Sequence, residues 1–299
     1  MSLRLGETKI KGVNLPSFDF IKAFFDAGGK CAYSIATSFE GAIPFEATSN
    51  VVDMESMFSD CKKLTNIPLF DTSNVTNMYQ MFYYCERLTT VPLFDTSKVT
   101  NMYQMFNNCS LMKSVPLFDT HNVTNMQGMF SNCGALASVP SFDASNVTTM
   151  QNMFYYCANL TSVSLLNTNN VTNMNSMFSA CEKLISVSLS DTSNVTDMED
   201  MFYSCGNLTN VPAFDVSKVT NMNRMFRYCR KLEAIHMLNI GTNLDISSST
   251  LFTREALLEI IGNLKNVTTT KTLTMGATNL AKLTDADKEI ATNKGWTLA

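Results

Sequence analysis

The sequence predicts an α/β repeat protein: a right-handed solenoid of about nine stacked coils, each with a short parallel strand and a short helix, between non-repeat α/β caps. Cysteine recurs every 24 residues with no change of spacing, and a Met-Phe pair precedes each of these cysteines. One unit of this size cannot bury its own apolar face, so the copies must stack. The cysteines are Cys61, Cys85, Cys109, Cys133, Cys157, Cys181, Cys205 and Cys229.

The first of two patterns inside each copy predicts the strand. Leu64, Ile67 and Leu69 follow the spacing L-x-x-[IV]-x-L, which is the leucine-rich-repeat consensus for a short strand along one side of a coil. The pattern returns in the later copies, for example at residues 88–93. A leucine-rich-repeat-type solenoid is therefore expected.

The second pattern predicts the short helix. In residues 78–85 the run M-x-x-M-F-x-x-C places its apolar side chains at i, i+3, i+4 and i+7, which is one face of a helix. Thr76 is the expected N-cap. In a later copy Thr196 and Glu199 have the spacing of a capping box.

The repeat pattern also predicts the domain boundaries. Residues 43–45 match the strand pattern one unit upstream of residues 67–69. We therefore expect an N-terminal cap over 1–40, a solenoid over 41–247, and a C-terminal α/β cap or docking unit over 248–299.

Each cap contains predicted elements of its own. The stretch SFDFIKAFFDAGG, residues 17–29, predicts a helix. In the C-terminal segment Thr253 and Thr284 are expected to begin helices, and Gly295 to end the second. Residues 270–276 predict a strand, and the final WTLA predicts another.

Composition excludes several classes of protein. Apolar residues make up 45% of the chain and charged residues 16%, so a buried core is expected and wholesale disorder is not. The net charge of -4 provides no basic footprint for nucleic acid. The N-terminus lacks the apolar core of a signal peptide, and no apolar run reaches the ~20 residues of a membrane span. The chain as it stands is expected to be soluble, without membrane insertion or a visible export signal.

The repeat unit carries a family resemblance. Units such as FDTSNVTNMYQMFYYCERLTTVPL resemble the bacterial surface-protein repeat of the BspA-like leucine-rich-repeat group, over residues 41–240. The resemblance implies a cell-surface or secreted adhesin that binds a protein or glycan. The C-terminal segment resembles tails of such proteins from gut bacteria and their phages, and LRLGETKIKGV resembles the start of some phage structural proteins. Together with the missing export signal, these likenesses imply a virion protein as the alternative.

The cysteine and methionine columns raise the question of metal binding. A zinc site needs clustered Cys or His, such as C-x-x-C, whereas each coil here has one Cys. Stacked coils would bring neighbouring cysteines to about 5 Å, which is within reach of a disulfide ladder. Buried thiols and thioethers also fill cores, and the helical spacing favours that interpretation over Cu(I) or zinc. We therefore predict no metal and no cofactor.

An acidic column has two explanations. A row of carboxylates about 5 Å apart needs compensation, which calcium provides. Alternatively, each carboxylate accepts backbone N–H groups in the D-T-S-N turn, a role that an asparagine can also fill. The second interpretation is favoured because Asn167 stands in the column. The acidic members are Asp71, Asp95, Asp119, Asp143, Asp191 and Asp215.

A proline column lies inside the predicted strand. Proline donates no hydrogen bond to a sheet, so the sheet must be narrow and leave these positions unpaired. The column consists of Pro44, Pro68, Pro92, Pro116, Pro140 and Pro212.

A phenylalanine row follows the prolines. Strict strand alternation would point it outward as an aromatic binding row, whereas a turn at that point would bury it. Both interpretations stay open, and the first three rings are included among the candidate binding residues. They are Phe70, Phe94 and Phe118.

The variable positions of the M-x-x-M-F segment are the main binding candidates. They carry eight of the nine tyrosines among Asn, Ser and Gln, a composition typical of binding surfaces. The alternative is an ordinary solvated face. These residues are Tyr79, Tyr83, Tyr84, Tyr103, Tyr155, Tyr156, Tyr203 and Tyr228. The recurring N-V-T run matches a glycosylation acceptor, but we interpret it as one turn that the repeat copies.

The function that the sequence favours is a non-catalytic binding or adhesion module. The chain has no H-E-x-x-H, phosphate loop or G-x-S-x-G, so we predict that it is not an enzyme. His121, His236 and Cys31 stand alone and show no catalytic pattern. The expected partner is a protein or surface glycan. The expected location is extracellular by resemblance, and virion or cytoplasmic if the chain is complete.

Overall fold

The computed structural model describes residues 8–10, 13–15 and 48–299. Strands β1 (Thr8–Ile10) and β2 (Val13–Leu15) form an antiparallel pair. The helix predicted over residues 17–29 and the strand predicted at 43–45 lie outside the described residues.

The described repeats contain short parallel strands. Strand β3 (Ser162–Leu165) pairs with β4 (Ser186–Leu189), and β5 (Asn210–Val211) pairs with β6 (Ala234–Ile235), each with an offset of one repeat. A 3₁₀ turn spans Thr168–Asn170. Parallel pairing at the repeat spacing shows that successive copies stack in register.

A second, longer ladder runs along the other side of the stack. It consists of single parallel bridges between residues 24 apart in the chain. Because every copy from residue 53 to residue 221 joins it, the repeats form one continuous stack. The bridged residues are Asp53, Asn77, Asn101, Asn125, Thr149, Asn173, Asp197 and Asn221.

The short helix predicted in each copy is wrong, because this segment divides its backbone donors between two coils. The N–H of Met57 donates to the carbonyl of Met54, three residues back, at 3.3 Å. The next N–H, from Phe58, donates to Met81 of the following coil at 2.8 Å. In an α-helix each N–H beyond the first turn would donate to the carbonyl four residues back. Successive N–H groups thus bond alternately within the coil and to the next coil. This requires a positive φ near the start and end of each segment, as at Ser56 and Asp60.

The predicted helix cap and capping box are wrong for the same reason. The Thr196 hydroxyl donates to the carbonyl of Thr172 in the preceding coil at 3.1 Å. The N–H of Glu199 donates to Asp197 Oδ1 at 3.0 Å. Thr76 likewise donates to the coil before it, to the carbonyl of Val52. These threonines therefore join neighbouring coils.

Proline determines which side chain enters the core on the strand side. The N–H of Phe118 donates to the carbonyl of Pro116 at 3.0 Å, and the N–H of Phe214 donates to that of Pro212 at 2.7 Å. A bond from residue i+2 back to residue i closes a γ-turn. The turn leaves Leu117 exposed and buries Phe118.

Where serine replaces proline, the chain stays extended. Strand β3 runs through Ser164, so alternation buries Leu165 and exposes Leu166. The N–H of Leu166 then donates to Phe142 of the preceding coil at 3.1 Å. Within residues 48–299, the four-residue strands of the repeats occur where Ser164 and Ser188 stand in the proline column. The narrow sheet predicted from that column is confirmed.

The core is a set of columns that run along the stack. The phenylalanines of the Met-Phe pairs stack face to face from Phe58 to Phe226, with ring centroids of neighbours 5.3–5.9 Å apart. The second phenylalanine row packs against this stack, as where Phe82 lies 6.2 Å from Phe94. The paired methionines are fully or almost fully buried.

The C-terminal segment continues the stack. It contains β7 (Leu244–Asp245), α1 (Arg254–Gly262), β8 (Lys271–Thr274), α2 (Ala277–Leu280), α3 (Asp285–Asn293) and β9 (Trp296–Leu298). The strands form a parallel sheet in the order β7-β8-β9. A bridge between Ile240 and Leu264 joins this segment to the last repeat coil.

The predicted helix starts in this segment are confirmed. The hydroxyl of Thr253 caps α1, and Thr284 forms a capping box with Asp287 at the start of α3. Gly295 ends α3 with φ near 88°, and an added Cβ would lie 2.5 Å from the carbonyl oxygen of Val267. Glycine is therefore required there.

Introducing a proline into a serine coil tests whether proline determines which side chain enters the core. Ser164→Pro is expected to lower the free energy of unfolding by about 2 kcal/mol, because the turn expels Leu165 from the core. Adding Leu166→Phe should recover part of the loss, since the new ring enters the core as in the proline coils. Urea denaturation of both variants measures this. A double variant no more stable than the single one would contradict the γ-turn explanation.

Candidate functional site

The candidate site is the outward face of the M-x-x-M-F segments, which we call the tyrosine face. Met78, Met81 and Phe82 are buried, so the side chains between and after them project outward. In the second described coil these include Tyr79 and Tyr83, both partly exposed. The inter-coil hydrogen bonds hold the backbone below them rigidly.

The structure groups four predicted tyrosines into a first cluster. Tyr79 stacks on Tyr103 of the next coil, with ring centroids 4.8 Å apart and planes 9° apart. Tyr83 meets Tyr84 edge to face at 4.6 Å. The Lys62 ammonium lies 5.3 Å from the Tyr84 ring centre. The result is two aromatic pairs on neighbouring coils.

The other four tyrosines form a second group of two pairs, two coils apart, farther along the stack. Tyr155 packs on Tyr156 at 5.0 Å, and Tyr203 meets Tyr228 edge to face at 5.4 Å. Within residues 48–299, Tyr156 is the most exposed tyrosine, at 52%. The guanidinium of Arg227 lies 5.1 Å from the Tyr228 ring centre.

Amide and hydroxyl side chains occupy the face around and between the clusters. Gln80 donates to Gln104 Oε1 at 2.7 Å across neighbouring coils. Partial burial raises the pKa of Tyr79, Tyr83 and Tyr155, and neighbouring tyrosines add to the effect. The phenols therefore stay protonated at neutral pH and can both donate and accept hydrogen bonds.

The exposed interpretation of the phenylalanine row is corrected. Phe70, Phe94 and Phe118 are buried, and at Phe118 the γ-turn after Pro116 accounts for the shift in alternation by one residue. Phe70 and Phe94 pack together inside the stack at 4.9 Å. We therefore leave these three rings out of the candidate surface.

The same shift in alternation exposes a leucine row that the sequence analysis did not predict. Leu69, Leu93 and Leu117 are 46%, 60% and 60% exposed on the strand side, across the core from the tyrosine face. The sequence does contain a signal for this shift. A phenylalanine stands two residues after each proline of the column from 68 to 212, and it is replaced two residues after Ser164 and Ser188.

The cysteine column is a row of buried thiols. Each described thiol from Cys85 onward donates to the carbonyl of the phenylalanine 27 residues earlier, at 3.0–3.1 Å. The eight cysteines in residues 48–299 are buried thiols, which excludes the disulfide ladder in this structure. Burial raises the pKa of Cys157 to about 12. Such thiols are poor nucleophiles and poor metal ligands.

The acidic column performs turn chemistry, as predicted. Asp71 Oδ1 accepts the N–H of Ser73 at 2.9 Å, and the later members repeat this bond. Hydrogen bonds from Ser97 lower the pKa of Asp95. The expectation that Asn167 fills the same role is wrong: its backbone is left-handed, its side chain makes no capping bond, and its amide instead donates to Asp143 Oδ1 at 3.0 Å.

The asparagines of the N-V-T runs also join coils. Asn122 donates to the carbonyl of Ser97 at 2.7 Å, and its equivalents make the same bond. This supports the turn interpretation of the run.

The two histidines contact carboxylates at the surface. His121 Nδ1 lies 2.6 Å from Asp119 Oδ1, and His236 Nδ1 lies 2.7 Å from Glu259 Oε1. Within residues 48–299 no three His, Cys, Asp or Glu side chains converge as metal ligands would. None of the described helices has the length and apolarity to cross a membrane.

Three solved structures are similar to parts of this chain. A leucine-rich cell-surface protein from Faecalibacterium prausnitzii is 21% identical, with 72% of this chain and 68% of that chain covered and a TM-score of 0.31. An internalin from Listeria monocytogenes is 15% identical, with 83% and 85% covered and a TM-score of 0.33. A leucine-rich-repeat protein from Bacteroides ovatus is 15% identical, with 83% and 88% covered and a TM-score of 0.18.

These TM-scores are low, and the evidence for the architecture is the set of bridges and hydrogen bonds between coils. No curated protein matches the chain. One family model matches in overlapping windows at residues 30–113, 85–186, 135–237, 157–259 and 183–283. Its windows span most of the sequence, and the chain therefore belongs to the family described as "Mycoplasma protein of unknown function, DUF285".

Proposed function

We propose that this protein is a non-catalytic binding module whose tyrosine face contacts a protein partner, with a surface glycan as the alternative ligand. The observation that carries the proposal is the clustering of eight tyrosines on one side of a hydrogen-bonded stack. A cell surface, as the BspA-like resemblance implies, is the proposed location, and a virion is the alternative.

Rigidity supports this choice of surface. Tyrosine has few rotatable bonds, and ring contacts restrict these side chains further, so little conformational entropy is lost on binding. The Asn, Gln and Ser neighbours supply adaptable hydrogen bonds. The same positions in other coils hold residues as different as Ser131, Asn132 and Glu199, so the core does not require tyrosine there.

The repeat itself supplies the variants that test the proposal. Tyr83 and Tyr155 can be changed to Ser, which occupies this position at Ser131, and Tyr84 and Tyr156 to Asn, as at Asn132. Asn132 has a positive φ like Tyr84, so the backbone should be kept. We expect the quadruple variant to bind at least tenfold more weakly, because aromatic side chains dominate interface energies.

The measurement is binding to an immobilised panel of extracellular-matrix proteins and glycans, followed by titration of the strongest hit. The matched control is Leu93→Ser with Leu117→Ser, which changes exposed side chains on the strand side and copies the exposed Ser141. Unchanged affinity of the quadruple variant would reject the tyrosine face. Loss of binding in the leucine control alone would place the site on the strand side.

A further inference from the structure

The last repeat coil carries a concentration of positive charge. Residues 224–231 contain three arginines, one lysine and no carboxylate, whereas the equivalent stretches of the other described coils contain at most two basic side chains. The basic residues are Arg224, Arg227, Arg230 and Lys231. Because the whole chain has a net charge of -4, this basic patch is a local feature of one coil and favours anionic ligands there.

Two of these arginines have no acidic partner. Arg224 is neutralised by Asp200, with its Nε 2.9 Å from Oδ1, and by Glu199 at 3.3 Å. Arg227 and Arg230 are exposed, and among the described residues neither lies within ion-pair distance of a carboxylate. Their guanidinium groups are therefore available to the carboxylates of a ligand.

Two open cavities share Tyr228 as a lining residue. One, of about 620 Å³, is lined by Arg227 and by Asp245 of the C-terminal segment. The other, of about 520 Å³, is lined by Arg230 and by Glu182, two coils earlier. Both sizes lie in the range of ligand sites. Each cavity thus combines an arginine that has no ion-pair partner with a carboxylate, beside the same exposed aromatic residue.

The remaining walls are polar. The larger cavity is otherwise lined by Arg, Asn, Ser and Thr residues and by two apolar residues that are buried. The Ser248 hydroxyl accepts the N–H of Tyr228 at 2.9 Å, so its own hydrogen stays available to a ligand. Asp245 Oδ1 accepts two hydrogen bonds from Ser247, which leaves Oδ2 as an acceptor for a ligand hydroxyl. Since pockets for drug-like ligands are mostly apolar, these walls suit a hydroxyl-rich ligand instead.

We propose that this end of the stack binds an acidic oligosaccharide. Its carboxylates pair with Arg227 and Arg230, and a sugar ring lies against Tyr228 where the two cavities meet. Sugar hydroxyls donate to Asp245 in one cavity and to Glu182 in the other.

The mixture of charges favours an acidic sugar over other anions. Each cavity presents a cation and a carboxylate, so the ligand must offer an anionic group and hydrogen-bond donors close together. A sugar acid has a carboxylate and hydroxyls on one ring. A nucleic acid carries a phosphate on every unit, and Asp245 and Glu182 would repel that denser charge. An acidic peptide brings carboxylates without the neighbouring hydroxyls.

This inference goes beyond the proposed function, because it assigns a second site and a different class of ligand. The variants that test the tyrosine face change Tyr83, Tyr84, Tyr155 and Tyr156, and they keep every residue of the proposed sugar site. Loss of one activity therefore leaves the other to be measured.

Titration calorimetry on the full chain tests the inference. The probe is a hexasaccharide of alternating glucuronate and N-acetylglucosamine, compared with the neutral hexamer of N-acetylglucosamine. A blocked Glu-Gly-Glu-Gly-Glu peptide supplies the same number of carboxylates without a sugar. We expect the acidic hexasaccharide to bind at least about tenfold more tightly than either comparison ligand.

The repeat supplies variants that keep the fold. Arg227→Ser copies Ser179, and Arg230→Ser copies Ser110, each at the same coil position. Each change should weaken the acidic hexasaccharide about tenfold and leave the neutral hexamer nearly unaffected. Tyr228→Asn copies Asn132, which also has a positive φ, and should weaken both sugars.

The matched control removes the same charge elsewhere. Arg87→Asn with Lys98→Asn copies Asn159 and Asn122, and both original side chains are exposed. This double variant should bind the acidic hexasaccharide as the original protein does. The inference fails if no binding is detected at roughly 10 mM hexasaccharide, or if the neutral hexamer or the peptide binds equally well. It also fails if the control weakens binding as much as Arg227→Ser with Arg230→Ser, since the attraction would then be unspecific.

Discussion

Replacing Phe154 with alanine is expected to lower the free energy of unfolding by about 4 kcal/mol. The ring is fully buried and stacks between Phe130 and Phe178, each 5.6 Å away. Because neighbouring coils supply both stacking partners, the cavity would weaken two coil interfaces at once. The loss should also break the cooperativity of the array, since repeat proteins depend on nearest-neighbour interfaces.

Urea denaturation followed by circular dichroism measures the loss, and hydrogen exchange shows whether the two halves now open separately. Phe154→Leu is the matched control, because it keeps most of the volume and should cost under about 2 kcal/mol. Tyr156→Asn, two residues away on the surface, should change stability by less than about 1 kcal/mol. An alanine variant as stable as the asparagine variant would show that the stack is not the source of stability.

The stacking of the repeats and their core columns were predictable because they depend on spacing alone. A period of 24 residues with fixed Met, Phe and Cys places the same side chain inside every coil. The turned conformation of the M-x-x-M-F segment was not predictable, because apolar spacing of i, i+3 and i+4 suits both a helix and a chain that turns every few residues. What decides between them is where the N–H of Phe58 finds an acceptor, and that acceptor is Met81 in another coil.

The candidate surface was also predictable in part from the sequence. The tyrosines were assigned correctly to the outward positions, since Met81 and Phe82 define the inward ones. The pairing of Tyr79 with Tyr103 follows from stacking in register. The phenylalanine row needed knowledge of a γ-turn that single-residue alternation cannot reveal. Among residues 48–299 the N–H groups of Met222 and Arg224 have no acceptor, which depends on the path of the C-terminal segment and not on the repeat pattern.

Alkaline pH is expected to unfold the protein over a narrow range, because of its buried thiols. Burial raises the pKa of Cys157 and of Cys229 to about 12. It also raises the pKa of other thiols in the column well above the ordinary value for cysteine. The other thiols shifted in this way are Cys109, Cys133, Cys181 and Cys205. In the unfolded chain a thiol ionises near pH ~8.5.

The sign of the effect follows from proton binding. Between about pH 8.5 and pH 12 the native thiols stay protonated while the unfolded ones ionise, so the native state binds more protons. The stability that these thiols contribute is complete below about pH 8 and is lost as pH rises towards the native pKa. Each thiol removes about 1.4 kcal/mol per pH unit once its unfolded form is ionised. Six together would exceed the whole stability of an ordinary domain by about pH 10–10.5.

Serine substitution separates the thiols from the tyrosines, whose phenols also ionise in this range. Cys157→Ser removes one titrating group, and the hydroxyl can keep the bond to the Phe130 carbonyl that the thiol makes at 3.1 Å. The unfolding free energy is measured with urea from pH 7 to 10.5 under reducing conditions. Its slope against pH should decrease by the equivalent of about one proton. Adding Cys133→Ser should remove a second. If both variants keep the slope of the original protein, the alkaline transition comes from the phenols and the thiol explanation is wrong.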